Sequence, residues 1–284
     1  MPAEKEAAHE AKKTARVKKV PAVHQKAYAT SVWSVNVYNL DGSVNHSVEV
    51  PRVLQSEFRP DLIRRAVTAF RANRRQPYGS ALKSGMRHSV RWSGKGHGVS
   101  RVPRIRGTMI GAQAPGTRGG RQAHPPTPDT IWSLKVNAKE RKKARNAALA
   151  AIGHPDHVRK RGHHFNPEMT LPLVVVDDIE KTESAKDALE IVTALGVVDD
   201  VTRSKEHTKL RAGRGKMRGR RYRSPKSFLL VVSDSSRVRK GFGNLPGVDI
   251  LTPPGLNAEV LAPGGDAGRL TIFSEGALEK LRSW

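Results

Sequence analysis

Apolar and polar positions along this chain change period several times, and each change marks an element. SVWSVNVYNL (31–40) is dense in β-branched and aromatic residues. Asp41-Gly42 then supplies a turn before SVNHSVEV (43–50), which together predict a strand pair. In PDLIRRAVTAFRANRRQPYG (60–79), Leu62, Ala66 and Phe70 recur every four residues with Ile63 and Val67 beside them. Arg64, Arg65, Arg71, Arg74 and Arg75 occupy the other face, so the spacing predicts an amphipathic helix opening at Pro60 and ending before Pro77. The stretch 80–130 then shows neither helical nor strand periodicity and is rich in glycine and proline.

Regular patterning returns with NAKERKKARNAALAAIG (137–153). Asn137 stands as a helix cap, Glu140 three residues on completes a capping-box pattern, and Gly153 follows the last turn. LPLVVVDD (171–178) and FLLVVSD (228–234) are short β-branched runs of the kind that buried strands carry. Between them, SAKDALEIVTALG (184–196) predicts a helix whose Ala185, Leu189, Val192 and Leu195 share a face. GVDIL (247–251) and RLTIF (269–273) are shorter strand candidates, and SEGALEKLRSW closes as a helix capped by Ser274. Strands alternating with helices predict an α/β sandwich around a mostly parallel sheet.

Charge changes this picture. The chain of 284 residues has a formal charge of +25 and a hydrophobic fraction of 37%. An excess of that size repels itself in a compact molecule and implies a polyanionic partner, nucleic acid before an anionic membrane. The charge is also unevenly placed. Between Asp61 and Asp129 lie 67 residues with no acid and fourteen Lys or Arg, and 203–223 holds ten basic residues against Glu206. Residues 1–30, rich in Ala, Lys and Glu, read as a basic tail without an apolar face. With no run of 18 apolar residues nothing is expected to span a bilayer. The N-terminus lacks the apolar core of a secretory signal, so a cytoplasmic location is expected. Absence of cysteine removes disulfides and thiolate chemistry.

Other chemistry was weighed against blander uses. Asp177, Asp178 and Asp234 follow apolar strands, where α/β enzymes build sites, yet Asp also ends strands and caps helices. GRGKMRG (213–219) resembles a phosphate loop only superficially, since Met217 follows Lys216 where a Ser or Thr would hold magnesium. GKGHG (94–98) lacks the dinucleotide spacing. His154, His157, His163 and His164 cluster, but Arg159, Lys160 and Arg161 lie among them, which favours a polar surface facing RNA or solvent over a metal site. No catalytic residue, metal or cofactor is expected. The basic blocks differ from ordinary solvated charge because they are arginine-rich, contain Trp92 and Tyr222, and interrupt a folding domain. Arginines on non-periodic, glycine-rich backbone suit folded RNA better than a DNA groove. An α/β enzyme acting on a nucleotide or RNA, and a nucleic-acid condensing protein, remain open on the residues alone.

Six stretches carry a resemblance: VYNLDG (37–42), RVPRIRG (101–107), GTRGGR (116–121), LRAGRGKMRGRR (210–221), NLPGVDIL (244–251), and LAPGG followed by GRL (261–270). In this order the chain resembles the universal large-subunit ribosomal protein L four family in its archaeal and eukaryotic form. The likeness runs from about residue 30 to the end, leaving out tail 1–30 and the His-rich stretch 154–164. It implies a Rossmann-like three-layer α/β domain, residues 31–75 and 130–284, interrupted by an extended loop, 76–129. The loop would thread through rRNA to the peptide exit tunnel. At its tip the resemblance places Arg101, Val102, Pro103, Arg104, Ile105 and Arg106, near the tunnel constriction. Along its arms, Lys83, Arg87, Arg91, Lys95, Arg118 and Arg121 would bind rRNA. In the basic segment 203–226, Arg211, Arg214, Lys216, Arg218, Arg220 and Arg221 would fix the globular part to rRNA. Implied partners are large-subunit rRNA, neighbouring large-subunit proteins and the nascent peptide, with no membrane and no cofactor.

Overall fold

The computed structural model describes residues 33–284; the expected basic tail 1–30 lies outside the described residues. A six-stranded sheet forms the centre. In chain order its strands are β1 (Ser34–Tyr38), β2 (Val44–Glu49), β5 (Leu173–Val175), β8 (Leu229–Val231), β9 (Asp249–Leu251) and β10 (Thr271–Ser274). They lie side by side as β2-β1-β5-β10-β8-β9. Only the β1–β2 pair is antiparallel, joined across the Asp41-Gly42 turn, and every other neighbour runs parallel. The mostly parallel sheet expected from the alternating pattern is therefore present. Its strands are shorter than the apolar runs that announced them, because residues flanking each run leave the ladder to start turns.

Eight helices accompany the sheet among the described residues: α1 (Pro60–Asn73), α2 (Ala138–Ile152), α3 (Pro155–Arg161), α4 (Ala185–Ala194), α5 (Val198–Glu206), α6 (Val238–Phe242), α7 (Ala258–Leu261) and α8 (Glu275–Arg282). On one face of the sheet, Leu173, Val175, Leu230 and Ile272 pack with Ile191 and Val192 of α4, Val201 of α5 and Phe242 of α6. Val37, Val174, Leu229, Val231 and Phe273, which alternate with them, are wholly buried as well. Both faces of the sheet are thus covered, as parallel sheets require.

Three local expectations need correction. Helix α4 turns Ala188, Ile191 and Val192 inward, with Leu195 just beyond it, while Ala185 and Leu189 are exposed. The apolar stripe starts one turn later than the sequence spacing suggests, since Ser184 caps the helix and its first turn stands clear of the sheet. At α2 the Asn137 side chain makes no cap bond, and Glu140 accepts from Arg65 of α1 at 3.3 Å instead of closing a capping box. Finally, the stretch 80–130 is not without strands: β3 (Val90–Trp92) pairs antiparallel with β4 (Pro103–Ile105). Ser274 does cap α8, accepting from Ala277 N at 3.3 Å.

Candidate nucleic-acid interface

The loop leaves the domain between α1 and α2 through a clamp of aromatic and cationic groups. Tyr78 stacks on Trp132 with ring centroids 5.6 Å apart, and the Arg75 guanidinium lies 3.7 Å from the Trp132 ring centre. Leu134 N donates to Asn73 Oδ1 at 2.9 Å, and Ser80 N to the Pro126 carbonyl at 3.1 Å, so the two arms enter and leave together. Further out the arms touch. Gln113 Nε2 donates to the Met86 and His88 carbonyls at 3.2 and 2.6 Å. Gly85 sits at φ +72°, and a Cβ there would lie 2.6 Å from the Gly120 carbonyl, so glycine is required by conformation and by space.

At the tip, the Arg104 guanidinium donates to the Ser100 carbonyl at 3.1 Å, to Ser100 Oγ at 3.2 Å and to the Met109 carbonyl. The Ser100 carbonyl also accepts from Val102 N at 2.9 Å, so the arginine adds a second donor there and ties that turn to the one at Met109. The second basic segment repeats the design on a smaller scale. β6 (Lys209–Leu210) pairs antiparallel with β7 (Tyr222–Arg223), a 3₁₀ turn at Arg214–Arg218 closes the end, and Arg211 donates to the Arg220 and Tyr222 carbonyls at 3.1 and 3.3 Å.

Of the fifteen cationic residues expected to meet RNA, Arg104 and Arg211 are half-buried staples of their own ribbons and the other thirteen are exposed. Among the described residues, none of the fifteen forms an ion pair. By contrast, body cations such as Arg59, Arg65, Arg74, Lys226 and Arg269 each hold a carboxylate. The ribbons and the base of the loop also expose apolar surface that a solvated segment has no reason to keep: Leu82 is 96% exposed, Ile131 at the loop's exit 85% and Met217 82%, with Trp92 and Tyr222 exposed as well. Sequence reasoning missed the Arg75–Trp132–Tyr78 clamp. Its signal was an arginine before Pro77 and a tryptophan just past Asp129, two positions that bracket the loop 76–129.

The strand-end acids are structural. Asp177 Oδ1 accepts from Gly276 N at 2.8 Å at the start of α8, and Asp178 pairs with Lys181 at 2.7 Å. Asp234 accepts from Ser236 N and Oγ at 3.0 and 2.7 Å, which together with the Arg237 charge holds its carboxyl below the usual range. Glu180, which the sequence did not single out, accepts from Ser274 Oγ at 2.7 Å and from Asp234 N at 3.2 Å, tying three loops at the carboxyl ends of the strands.

The opposite, strand-start end carries a buried polar network. Arg269 is fully buried and donates to the carbonyls of Ser227, Val260, Phe228 and Gly247 at 3.0–3.3 Å while pairing with Asp249 at 2.8 Å. Gly247, at φ +78°, lets this backbone close up, since a Cβ would lie 2.4 Å from Ser204 Oγ and 2.6 Å from the Pro225 carbonyl. Beside it, buried Asp200 accepts from His163 Nδ1 at 3.0 Å, Arg203 Nε at 3.0 Å and Ser227 Oγ at 2.8 Å. His163 is therefore not a surface group, which corrects the expectation for the histidine cluster. Its ring is apolar enough to sit at the core edge once Asp200 satisfies Nδ1–H. Burial pushes the imidazole below its ordinary 6.5, with Arg161 and Arg203 adding to the effect and Asp200 opposing it. Among the described residues no three His, Asp or Glu side chains gather as a metal set, and no helix is long and apolar enough to cross a membrane.

Residues 48–284 match the model of the ribosomal protein L4/L1 family. The chain is 47% identical over 248 residues to the large ribosomal subunit protein uL4 of Archaeoglobus fulgidus, covering 87% of this chain and 98% of the relative. The uL4 proteins of Methanothrix thermoacetophila and Methanopyrus kandleri are 46% and 45% identical, over 87% and 86% of this chain and 98% and 96% of theirs. Two ribbons of unpaired arginine on an α/β body, matched along nearly the whole described chain by these archaeal proteins, place it plainly: the chain belongs to the ribosomal protein L4/L1 family.

Proposed function

We propose that this chain is a non-catalytic structural component of the large ribosomal subunit in the cytoplasm, where it binds 23S-type rRNA and supports subunit assembly and translation. The body, read as a Rossmann-like three-layer sandwich, stays at the subunit surface among neighbouring large-subunit proteins. The loop 76–129 passes inward, with Lys83, Arg87, Arg91, Lys95, Arg118 and Arg121 on rRNA phosphates. Its tip, Arg101–Arg106, lies at the exit tunnel beside the nascent peptide. Segment 203–226 anchors the body through Arg214, Lys216, Arg218, Arg220 and Arg221, with Arg211 shaping the ribbon.

The observation that carries this reading is the set of fifteen cations without a carboxylate partner, set on two stapled ribbons that, with the base of the loop, also expose Leu82, Ile131 and Met217. Such groups displace the counterions of phosphates into solvent, and unstacked bases cover such apolar surface. The hydrogen bond between Ser80 and Pro126 suggests the test. Residues 81–125 are replaced by a short Gly-Ser link, and incorporation into the large subunit is followed by sedimentation in high salt. The shortened chain is expected to keep its thermal unfolding transition while large subunits containing it fail to mature. Unfolding of the shortened chain, or normal subunit maturation, would contradict the assignment.

A further inference from the structure

The strand-start end of the sheet also holds a cleft of about 660 Å³, within the roughly 300–1,000 Å³ that small-ligand sites occupy. We propose that it receives one unstacked RNA nucleotide, the Phe58–His157 ring pair taking the base and Lys160, Arg161, Arg203 and Lys226 its flanking phosphates. The proposal rests on the RNA-binding reading and adds to the two ribbons a contact made by the body itself.

Charge is the first argument. Arg64, Lys160, Arg161, Arg203 and Lys226 line the cleft against Asp266 as its one lining carboxylate. Some of this charge is offset, since Arg64 lies 3.5 Å from Asp266, Arg203 bonds Asp200 and Lys226 bonds Asp249. Arg161 forms no ion pair among the described residues and has only the nearby charge of Asp266 as relief. It donates to the Pro263 carbonyl at 2.8 Å and to the Asp266 carbonyl, and holds no carboxylate. Burial, with the charges of Arg269 and Arg203 and against the partial relief of Asp266, pulls its guanidinium down to about 10. Five cations thus share three carboxylates, and among the described residues Lys160 and Arg161 form no ion pair.

Shape is the second. Phe58 and His157 line the same cleft with ring centroids 4.4 Å apart and planes at 33°. Burial, then the neighbouring His154 and Lys160, holds His157 below its ordinary 6.5, so at neutral pH it offers flat surface and no added charge. A duplex backbone would use the cations and leave the rings idle, and so would an acidic peptide. A base with its phosphates uses both. Position is the third: Arg203 and Lys226 are the two roots of the second basic segment, so a strand lying on the β6–β7 ribbon reaches the cleft without a break.

The test uses the full chain and a single-stranded RNA heptamer carrying 2-aminopurine at its centre, beside a heptamer abasic at that position. The parent protein is expected to quench the 2-aminopurine emission and to bind the abasic heptamer about tenfold more weakly. Phe58→Ala should bind both heptamers alike. Lys160→Gln, an exposed change that leaves the rings in place, should weaken both by the same factor. Arg218→Gln with Arg220→Gln should lower overall affinity yet preserve the abasic difference. If the parent bound both heptamers equally while still depending on Arg218 and Arg220, the cleft assignment alone would fall. If a decaglutamate peptide bound through Lys160 and no base effect were seen, the cleft would be a protein groove. No binding of either heptamer would overturn the cleft and the RNA reading together.

Discussion

Arg269→Met is the most direct trial of how the strand-start end is held. The side chain is fully buried and gives hydrogen bonds to four carbonyls besides its pair with Asp249. Methionine has a similar length, so little cavity is created, and the loss is chiefly that of donors. The carbonyls of Ser227 and Phe228 are buried, whereas those of Val260 and Gly247 are partly reached by water and Asp249 is 32% exposed and still bonded to Lys226. The Ser227 carbonyl loses its arginine donor and that of Phe228 keeps only a long bond from Asp249 N at 3.5 Å; at about 1–3 kcal/mol each, plus a smaller share from the wetter groups, the loss is about 4 kcal/mol. That agrees with the roughly 3–5 kcal/mol seen when one partner of a buried pair is removed. Urea unfolding followed by far-ultraviolet circular dichroism measures it, with an expected fall in melting temperature of about 8–16 °C. Arg269→Lys, which keeps the charge but loses the planar fork, should fall between parent and Met variant. Loss of less than about 1 kcal/mol in the Met variant would refute the clamp. So would a drop in RNA affinity of the still-folded variant that exceeded its loss of stability, since it would make Arg269 an RNA contact.

Three further outcomes are expected. Arg218→Gln with Arg220→Gln should lower the slope of log affinity for an rRNA fragment against log salt by about 1.5–2, read by filter binding; an unchanged slope would remove these residues from the phosphate contacts. The folded His163 imidazole takes up a proton less readily than in the unfolded chain, so its contribution to stability is present above pH 6.5 and is lost as pH falls below that value. Denaturant midpoints at pH 7.5 and 5.5 should therefore differ in the parent and differ less in His163→Asn, whose amide still donates to Asp200, the remainder coming from His157; equal midpoints in the parent would speak against a buried neutral histidine. Gly85→Ala should open the joined arms and speed tryptic cleavage within 81–125 with little change in global melting. Gly96→Ala, at φ +82° with nothing within 4 Å of the added carbon, should cost only backbone strain of about 1 kcal/mol or less in the loop. Equal protection in both variants would mean the arms do not pack.

Much of the body was legible because burial imposes period. The β-branched runs at 171–178 and 228–234 became β5 and β8, and Leu62, Ile63, Ala66, Val67 and Phe70 do form the inner side of α1. Side-chain bookings across distance were not legible. Glu140 follows Asn137 at capping-box spacing, yet Arg65, seventy-five positions away, takes its carboxylate. His163 looked like one of a polar cluster because its partner, Asp200, lies on another helix. The same holds for NLPGVDIL and GRL: Asp249 and Arg269 lie in two different quoted motifs, and the half-exposed carboxylate meets the buried guanidinium. In the loop, the acid-free composition announced the interface, but the β3–β4 pairing escaped notice. It depends on three residues per strand, a cross-arm bond from Gln113 and local bonds from Arg104, too short a span for any period to register.

The sheet order has a consequence for biogenesis. β10 is the last described strand in chain order, yet it lies between β5 and β8, and no other strand bridges those two. Until residues 271–274 are available, the nascent chain can form only two separate half-sheets, each with a bare hydrogen-bonding edge and apolar residues such as Leu173 and Leu230 uncovered. A strongly cationic polypeptide in that state is exposed both to aggregation and to indiscriminate capture by RNA. The interval between synthesis of β8 and arrival of β10 is accordingly when a guardian protein would matter most to this chain.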